Sequence, residues 1–300
     1  LEEETVIFTD LSAQTMFMGG NSFSHLLRAT NIDNLDIEIL RQLVAGSNEF
    51  SEWFANPNVY ASGKVLKEAR DFKPTLRGRK KLAKSILSKN GSRHVQTNEY
   101  SDQIQKRDLL MEINRSYADL CSSISSAKVT EDSLFYIPAQ AMVLAVADDA
   151  NSKIDFRPNH SVGPTNVLYR RMSRKNFQNK SKKKQDLHTD EGLIALALTR
   201  VMHDDVPASI FTGDSDITRI TTDVIKYLTY IGSDADSVLN RLEQTPIRIY
   251  FTYERGRVRF DLDTAEAVPR IQSYGKRKLP EKVSECLKQN LEYTESLLAA

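Results

Sequence analysis

Apolar residues recur at two spacings along the chain, and the alternation between them reads as short strands set among helices. Thr5–Thr9 (TVIFT) is a β-branched, apolar run with Asp10 directly behind it, the pattern of a buried strand that delivers a carboxylate at its carboxyl end. Gly19-Gly20-Asn21 is a turn signal and lacks the Gly-Lys-Ser/Thr of a phosphate-binding loop. From Asn31 the spacing is helical, through Leu35, Ile39, Leu40 and Leu43, with Phe50, Trp53 and Phe54 extending it to Asn56-Pro57. Val59 closes a strand or a turn, and Ser62 is placed to N-cap a helix carrying Val65, Leu66 and Ala69. A longer helix is predicted over about 101–123, on Ile104, Leu109, Leu110, Ile113, Tyr117 and Leu120. Leu134–Ala147 is strongly apolar; Pro138 fits a helix start or a strand end, and a buried helix over about 139–147 is the expected form. Lys153–Phe156 reads as a further strand.

The densest pattern is Asp190–Asp216, DEGLIALALTRVMHDDVPASIFTGDSD. Asp190 and Glu191 open a helix carrying Leu193, Ile194, Leu196, Ala197 and Val201; HDDVP breaks it; Ala208–Phe211 is a buried strand stopped by Thr212-Gly213. Asp214 and Asp216 sit just past that stop. In an open parallel sheet, ligands bind outside the carboxyl ends of the strands, where a helix start and a strand end can bring four acids toward one cation. Beyond it, Ile217–Leu228 and a Ser-capped Ser233–Leu242 read as helices. Ile247–Tyr253 and Arg257–Leu262 read as a hairpin around Arg255-Gly256, and a last helix runs from about Pro280 to Leu298. The expected fold class is α/β with a central, mostly parallel sheet.

Composition narrows the class. Three hundred residues suit one large domain or a domain with an insertion, and no apolar run approaches the roughly 18 residues of a membrane span. The opening LEEETVIFTD does not have the form of a signal peptide, and the missing initiator methionine points to a processed or truncated chain. Only Cys121 and Cys286 are present, which disfavours a zinc site or disulfide framework and fits an intracellular, cytoplasmic setting without a membrane. Net charge is +1, so the distribution carries the information. Lys73–Asn90 is basic, and 169–184 (YRRMSRKNFQNKSKKK) concentrates Arg170, Arg171, Arg174, Lys175, Lys180, Lys182, Lys183 and Lys184 with no acid. Such a run is either a solvated loop or a phosphate-tracking arm, with Tyr169 and Phe177 as stacking rings.

With Asp10, Glu68, Asp190 and Asp214 in view, the chain resembles a PIN-domain nuclease. The matching pieces are VIFTD (Asp10), GKVLKEA (Glu68), HTDEGLIALAL (Asp190) and TGDSDI (Asp214, Asp216); the GDSD string is also similar to the related NYN branch. The resemblance implies a PIN-like three-layer fold spanning 1–300 as one domain, with a helical insertion at about 72–150 and an extension at about 263–300. It departs from the family pattern in the long stretch between Glu68 and Asp190, and Glu191 can replace Asp190 if the helix starts one residue later.

The resemblance also implies chemistry. Clustered carboxylates repel unless a cation neutralises them, and an oxygen-only set suits Mg²⁺ or Mn²⁺. Asp10, Asp190 and Asp214 would be direct or water-mediated ligands, with Glu68 and Asp216 completing the outer side or orienting water. The plainer reading of each acid alone is a helix-end charge (Asp190) or an Asx-type turn (Asp214). His160, His188 and His203 are assigned no role. The expected function is a divalent-metal-dependent endoribonuclease on single-stranded or structured RNA, with RNA favoured over DNA and a protein partner or homo-oligomer open. The alternatives are a structure-specific DNA nuclease and a non-cleaving nucleic-acid-binding or scaffold protein.

Overall fold

The computed structural model describes residues 5–10, 12–13, 35–54, 57–65, 67, 97–123, 134–152, 188–253, 257–275 and 277–299. Glu68, the basic stretches 73–90 and 169–184, the segments read as turns at 19–21 and 255–256 and as a strand at 153–156, and His160 lie outside the described residues.

Strands β1 (Val6–Thr9), β2 (Val59–Tyr60), β3 (Ala208–Thr212), β4 (Ile247–Tyr253) and β5 (Arg257–Asp263) form one sheet in the order β2-β1-β3-β4-β5. The first four run parallel, and β5 returns antiparallel to β4. The fold is therefore α/β with a five-stranded, mostly parallel sheet. From β1 the chain steps to β2 on one side and later to β3 on the other. The boundary between β1 and β3 is thus a topological switch point, the place where open α/β sheets bind ligands outside the strands' carboxyl ends.

Strand alternation sorts side chains to two faces. Phe8, Ala208, Ile210, Ile247, Ile249 and Leu262 join the main core, whereas Ile7, Val59 and Phe211 form a smaller cluster with Tyr250 against it. All five residues of β3 are buried, as its unbroken apolar and small-residue run predicts for a central parallel strand.

Around the main core lie α1 (Ile37–Phe54), α2 (Thr97–Ser123), α3 (Tyr136–Ser152), α4 (Thr189–Thr199), α5 (Ser215–Ile231), α6 (Asp236–Gln244), α7 (Thr264–Gln272) and α8 (Glu281–Leu298). The asymmetric apolar pattern of α5 buries Ile217, Ile220, Val224, Ile225 and Leu228 on one side. By contrast α4 is buried from Gly192 to Thr199 on every side, because it is packed between α3, α5 and the strands β1 and β3. Its Thr199 hydroxyl is satisfied by the Ala195 carbonyl at 2.8 Å. A single π turn, Arg200–Asp204, follows and ends at Asp205 in the left-handed conformation (φ 56°) before the chain enters β3.

Several local expectations change. α1 starts at Ile37 behind an Asp36 cap, whose carboxylate accepts from the Glu38 N–H at 2.8 Å, so Leu35 precedes the helix. α3 extends beyond 139–147, with Pro138 in its first turn, where the missing N–H costs nothing. Ser233 is not a helix cap: it lies in the short 3₁₀ turn Ser233–Ala235, and α6 begins at Asp236 with no side-chain cap. α7 is a helix the spacing does not announce, being nine residues long with Pro269 inside it. It is started by Asp263, which accepts from the Ala265 N–H at 2.8 Å. The Ser62 cap is as expected, its hydroxyl accepting from the Val65 N–H at 3.1 Å.

Candidate active site

β1 ends one residue before Asp10, whose N–H still pairs with the Phe211 carbonyl of β3 at 3.3 Å. This places the Asp10 side chain, 4% exposed, at the switch point. Its carboxylate takes three hydrogen bonds: Oδ1 from the Ala13 N–H (2.6 Å), and Oδ2 from Ser12 Oγ (2.8 Å) and Thr212 Oγ1 (2.6 Å). Thr212 is the last residue of β3, and its Oγ1 also accepts from the Asp214 N–H at 2.9 Å. The Gly213 N–H in turn donates to Ser12 Oγ at 2.8 Å. The loop after β1 and the end of β3 are therefore stitched into one network. They approach so closely that a Cβ on Gly213 would stand 3.0 Å from Ser12 Oγ and 3.1 Å from the Ser12 carbonyl carbon. A side chain there would need the Ser12 segment to give by a few tenths of an ångström, so space rather than backbone freedom favours glycine.

Asp214 caps α5, its Oδ1 accepting from the Asp216 N–H at 3.0 Å. The turn-forming role considered for this residue is real, and it fixes the side chain at the end of β3 beside Asp10. Asp190 occupies the first turn of α4, behind His188 in the left-handed conformation (φ 48°). Glu191 follows, with His188 Nδ1 3.7 Å from its carboxylate. Asp216 lies on the rim, its side chain 55% exposed and paired with Arg219 at 3.3 Å.

These acids share one electrostatic field. Burial pushes the Asp10 carboxyl up to about 6, against the opposing hydrogen bonds from Ala13, Thr212 and Ser12, with Asp214 adding to the rise. Asp190 is pushed up to about 8, first by burial and then by the charges of Asp10, Asp214, Glu191 and Asp216. Like charges gathered in a half-buried crevice oppose folding unless something positive or protonated is supplied. Such a cost sets these acids apart from four unrelated helix caps and makes them the candidate site of the chain.

Among the described residues no three Asp, Glu, His or Cys side chains stand close enough to hold one ion between them. Convergence of four acids on a single point is therefore not what these residues display. Mg²⁺, however, keeps several of its waters and is commonly held by one or two carboxylates. Oxygen-only donors in mutual repulsion fit a hard, partly hydrated ion of that kind.

Four further residues belong to the site. Ser12 and Thr212 orient Asp10; Thr212 stands in the TGDSD string, but only the fold shows that it serves a residue 202 positions earlier. Lys64 and Tyr136 lie over the first turn of α4: a Cβ on Gly192 would stand 3.3 Å from Lys64 Nζ and 3.4 Å from Tyr136 Oη. Lys64 is inside the GKVLKEA motif, whereas nothing in the sequence marks Tyr136. The chain finds no match among protein-family models, curated proteins or solved structures.

Proposed function

We propose that this chain is a divalent-metal-dependent nuclease of PIN type, an endoribonuclease acting on single-stranded or structured RNA. The observation that carries the reading is the mutual electrostatic coupling of Asp10, Asp190 and Asp214 at the switch point of the sheet.

Asp10, Asp190 and Asp214 would hold a partly hydrated Mg²⁺ or Mn²⁺, directly or through its waters, since no three acids among the described residues stand close enough to hold one ion between them. When bound, such an ion polarises a phosphoryl oxygen, acidifies a water and steadies the leaving oxygen. The chain's own part is positional. Ser12 and Thr212 fix Oδ2 of Asp10, so this carboxylate is oriented before any substrate arrives. Burial and the neighbouring carboxylates raise the Asp190 carboxyl to about 8, so a cation held there would compete with its proton. Asp216 on the rim orients water at the open side, with Glu68 as a further candidate for this role. No side-chain nucleophile is required.

The test is cleavage of end-labelled single-stranded RNA and sequence-matched DNA by the full chain with Mg²⁺ or Mn²⁺. Cutting that stops with a chelator, and is stronger on RNA, is the expected result; cutting that persists in chelator contradicts the reading. A second reading, a nucleic-acid-binding protein without turnover, is favoured by the spread of the carboxylates described above. Binding with no cutting in either ion would select it.

A further inference from the structure

An acid-lined crevice repels a polyphosphate, so cleavage there requires cations close by. The described residues supply them on one side. In the β3–β4 register Phe251 lies beside Thr212, so Tyr253 extends to the level of the loop that carries Asp214. β5 pairs Arg259 with Phe251 and Arg257 with Tyr253, bringing both arginines to the same end of the sheet as the acids. The Arg259 guanidinium lies 5.2 Å from the centre of the Phe251 ring and 3.3 Å from Asp261. Asp261 accepts from Thr218 of α5 at 2.5 Å, and the next residue, Arg219, pairs with Asp216 at the rim of the acid cluster. The start of α5 and the β4–β5 hairpin are thereby joined into a continuous strip. Tyr253 is 41% exposed, and the Arg259 side chain 65%.

We propose that Arg219, Arg257, Arg259 and Tyr253 form a binding strip for single-stranded nucleic acid, the arginines on backbone phosphates and the tyrosine ring on a base. The plainer account is a set of satisfied surface ion pairs. Exposed Arg–Asp pairs contribute little, however, so a phosphate displaces Asp216 or Asp261 from its arginine at small cost. Guanidinium groups match phosphate oxygens in a two-pronged geometry, and an exposed ring next to them adds the sequence-tolerant stacking that single strands offer and duplexes hide. The strip rests on the nuclease reading only for the fate of the strand once bound. It is separate in sequence from the basic run 169–184.

The experiment is fluorescence anisotropy of a labelled oligouridylate with the full chain in chelator, repeated over a salt series, with oligothymidylate as the second probe. For Arg257→Gln/Arg259→Gln the slope of log affinity against log salt should fall by about 0.7 per arginine that contacts a phosphate. Tyr253→Ala should weaken binding roughly 5- to 100-fold. Both effects are expected on RNA and DNA alike, since phosphates and base faces do not report the sugar. Lys288→Gln, which loses a pair with Asp234 beyond the far end of α5, should change nothing. Arg257→Gln alone serves if the double variant unfolds. Unchanged affinity and slope in the hairpin variants, or no binding by wild type, overturns the strip. Cleavage is scored separately: cutting with insensitive binding removes the strip and leaves the nuclease, and sensitive binding without cutting does the reverse.

Discussion

Asp214→Asn is expected to lower metal-dependent phosphodiester cleavage by about 10²–10⁴-fold while leaving unfolding free energy within roughly 0.5 kcal/mol of wild type. The two halves of this prediction separate the two roles of the residue. As the cap of α5, Asp214 needs only a carbonyl-like oxygen to accept from the Asp216 N–H, and asparagine supplies one equally well. As a charge in the crevice it cannot be replaced, since an amide neither repels Asp190 nor attracts a cation as a carboxylate does. Initial cleavage rates and urea unfolding, measured on the same preparation, check both halves. Full activity in the variant would reduce Asp214 to a helix cap.

Asp190→Asn is expected to stabilise the ion-free protein, by on the order of 2 kcal/mol at pH 8, or several degrees in Tm. The sign follows from the direction of the shift. The Asp190 carboxyl is raised from 3.8 to about 8 in the fold, so the folded chain binds this proton more tightly than the unfolded chain. Its stabilising contribution is complete below pH 3.8 and is lost progressively as pH rises through about 8. Asp10, raised to about 6, adds a loss over the lower part of that window, and because the two carboxyls are coupled they titrate as a pair. Asparagine removes the Asp190 share. It also removes a favourable charge at the start of α4, but that is worth only about 0.3–1 kcal/mol. The unfolding curves of wild type and variant should therefore converge near pH 4 and separate toward pH 8, with saturating Mn²⁺ narrowing the gap. A variant less stable than wild type at pH 8 would make Asp190 a structural residue.

Much of this arrangement is legible in the chain because it is local. VIFT followed by Asp10, and ASIFT followed by Gly213-Asp214, each carry their strand and its terminal acid within a few residues. The alternation of IRIYFTY and RVRFDLD likewise carries the β4–β5 hairpin. Features that depend on distant partners are not legible. The Ser12 and Thr212 hydrogen bonds to Asp10 exist only once β1 and β3 lie side by side. Lys64 and Tyr136 reach the first turn of α4 from two other parts of the chain, so neither stands out by spacing. α7 is hidden by its proline and brevity, and its start depends on Asp263, which also ends β5 and pairs with Arg248 at 3.2 Å. The Ser233 cap is a mistaken register of three residues, because a 3₁₀ turn there presents the same serine-plus-acid pattern as a helix start. The arginines of the hairpin read as ordinary exposed positions until the sheet order sets them at the same end as the acids.

The most direct test of the acid cluster as a cation site is a Mn²⁺ titration of the full chain, read from the EPR signal of the free ion. Wild type should bind Mn²⁺ at pH 8 and more weakly at pH 6, where Asp10 and Asp190 retain more of their protons, and Asp10→Asn and Asp190→Asn should each weaken binding by about tenfold or more. Absence of binding by wild type at pH 8, or equal binding by both variants, would contradict the assignment.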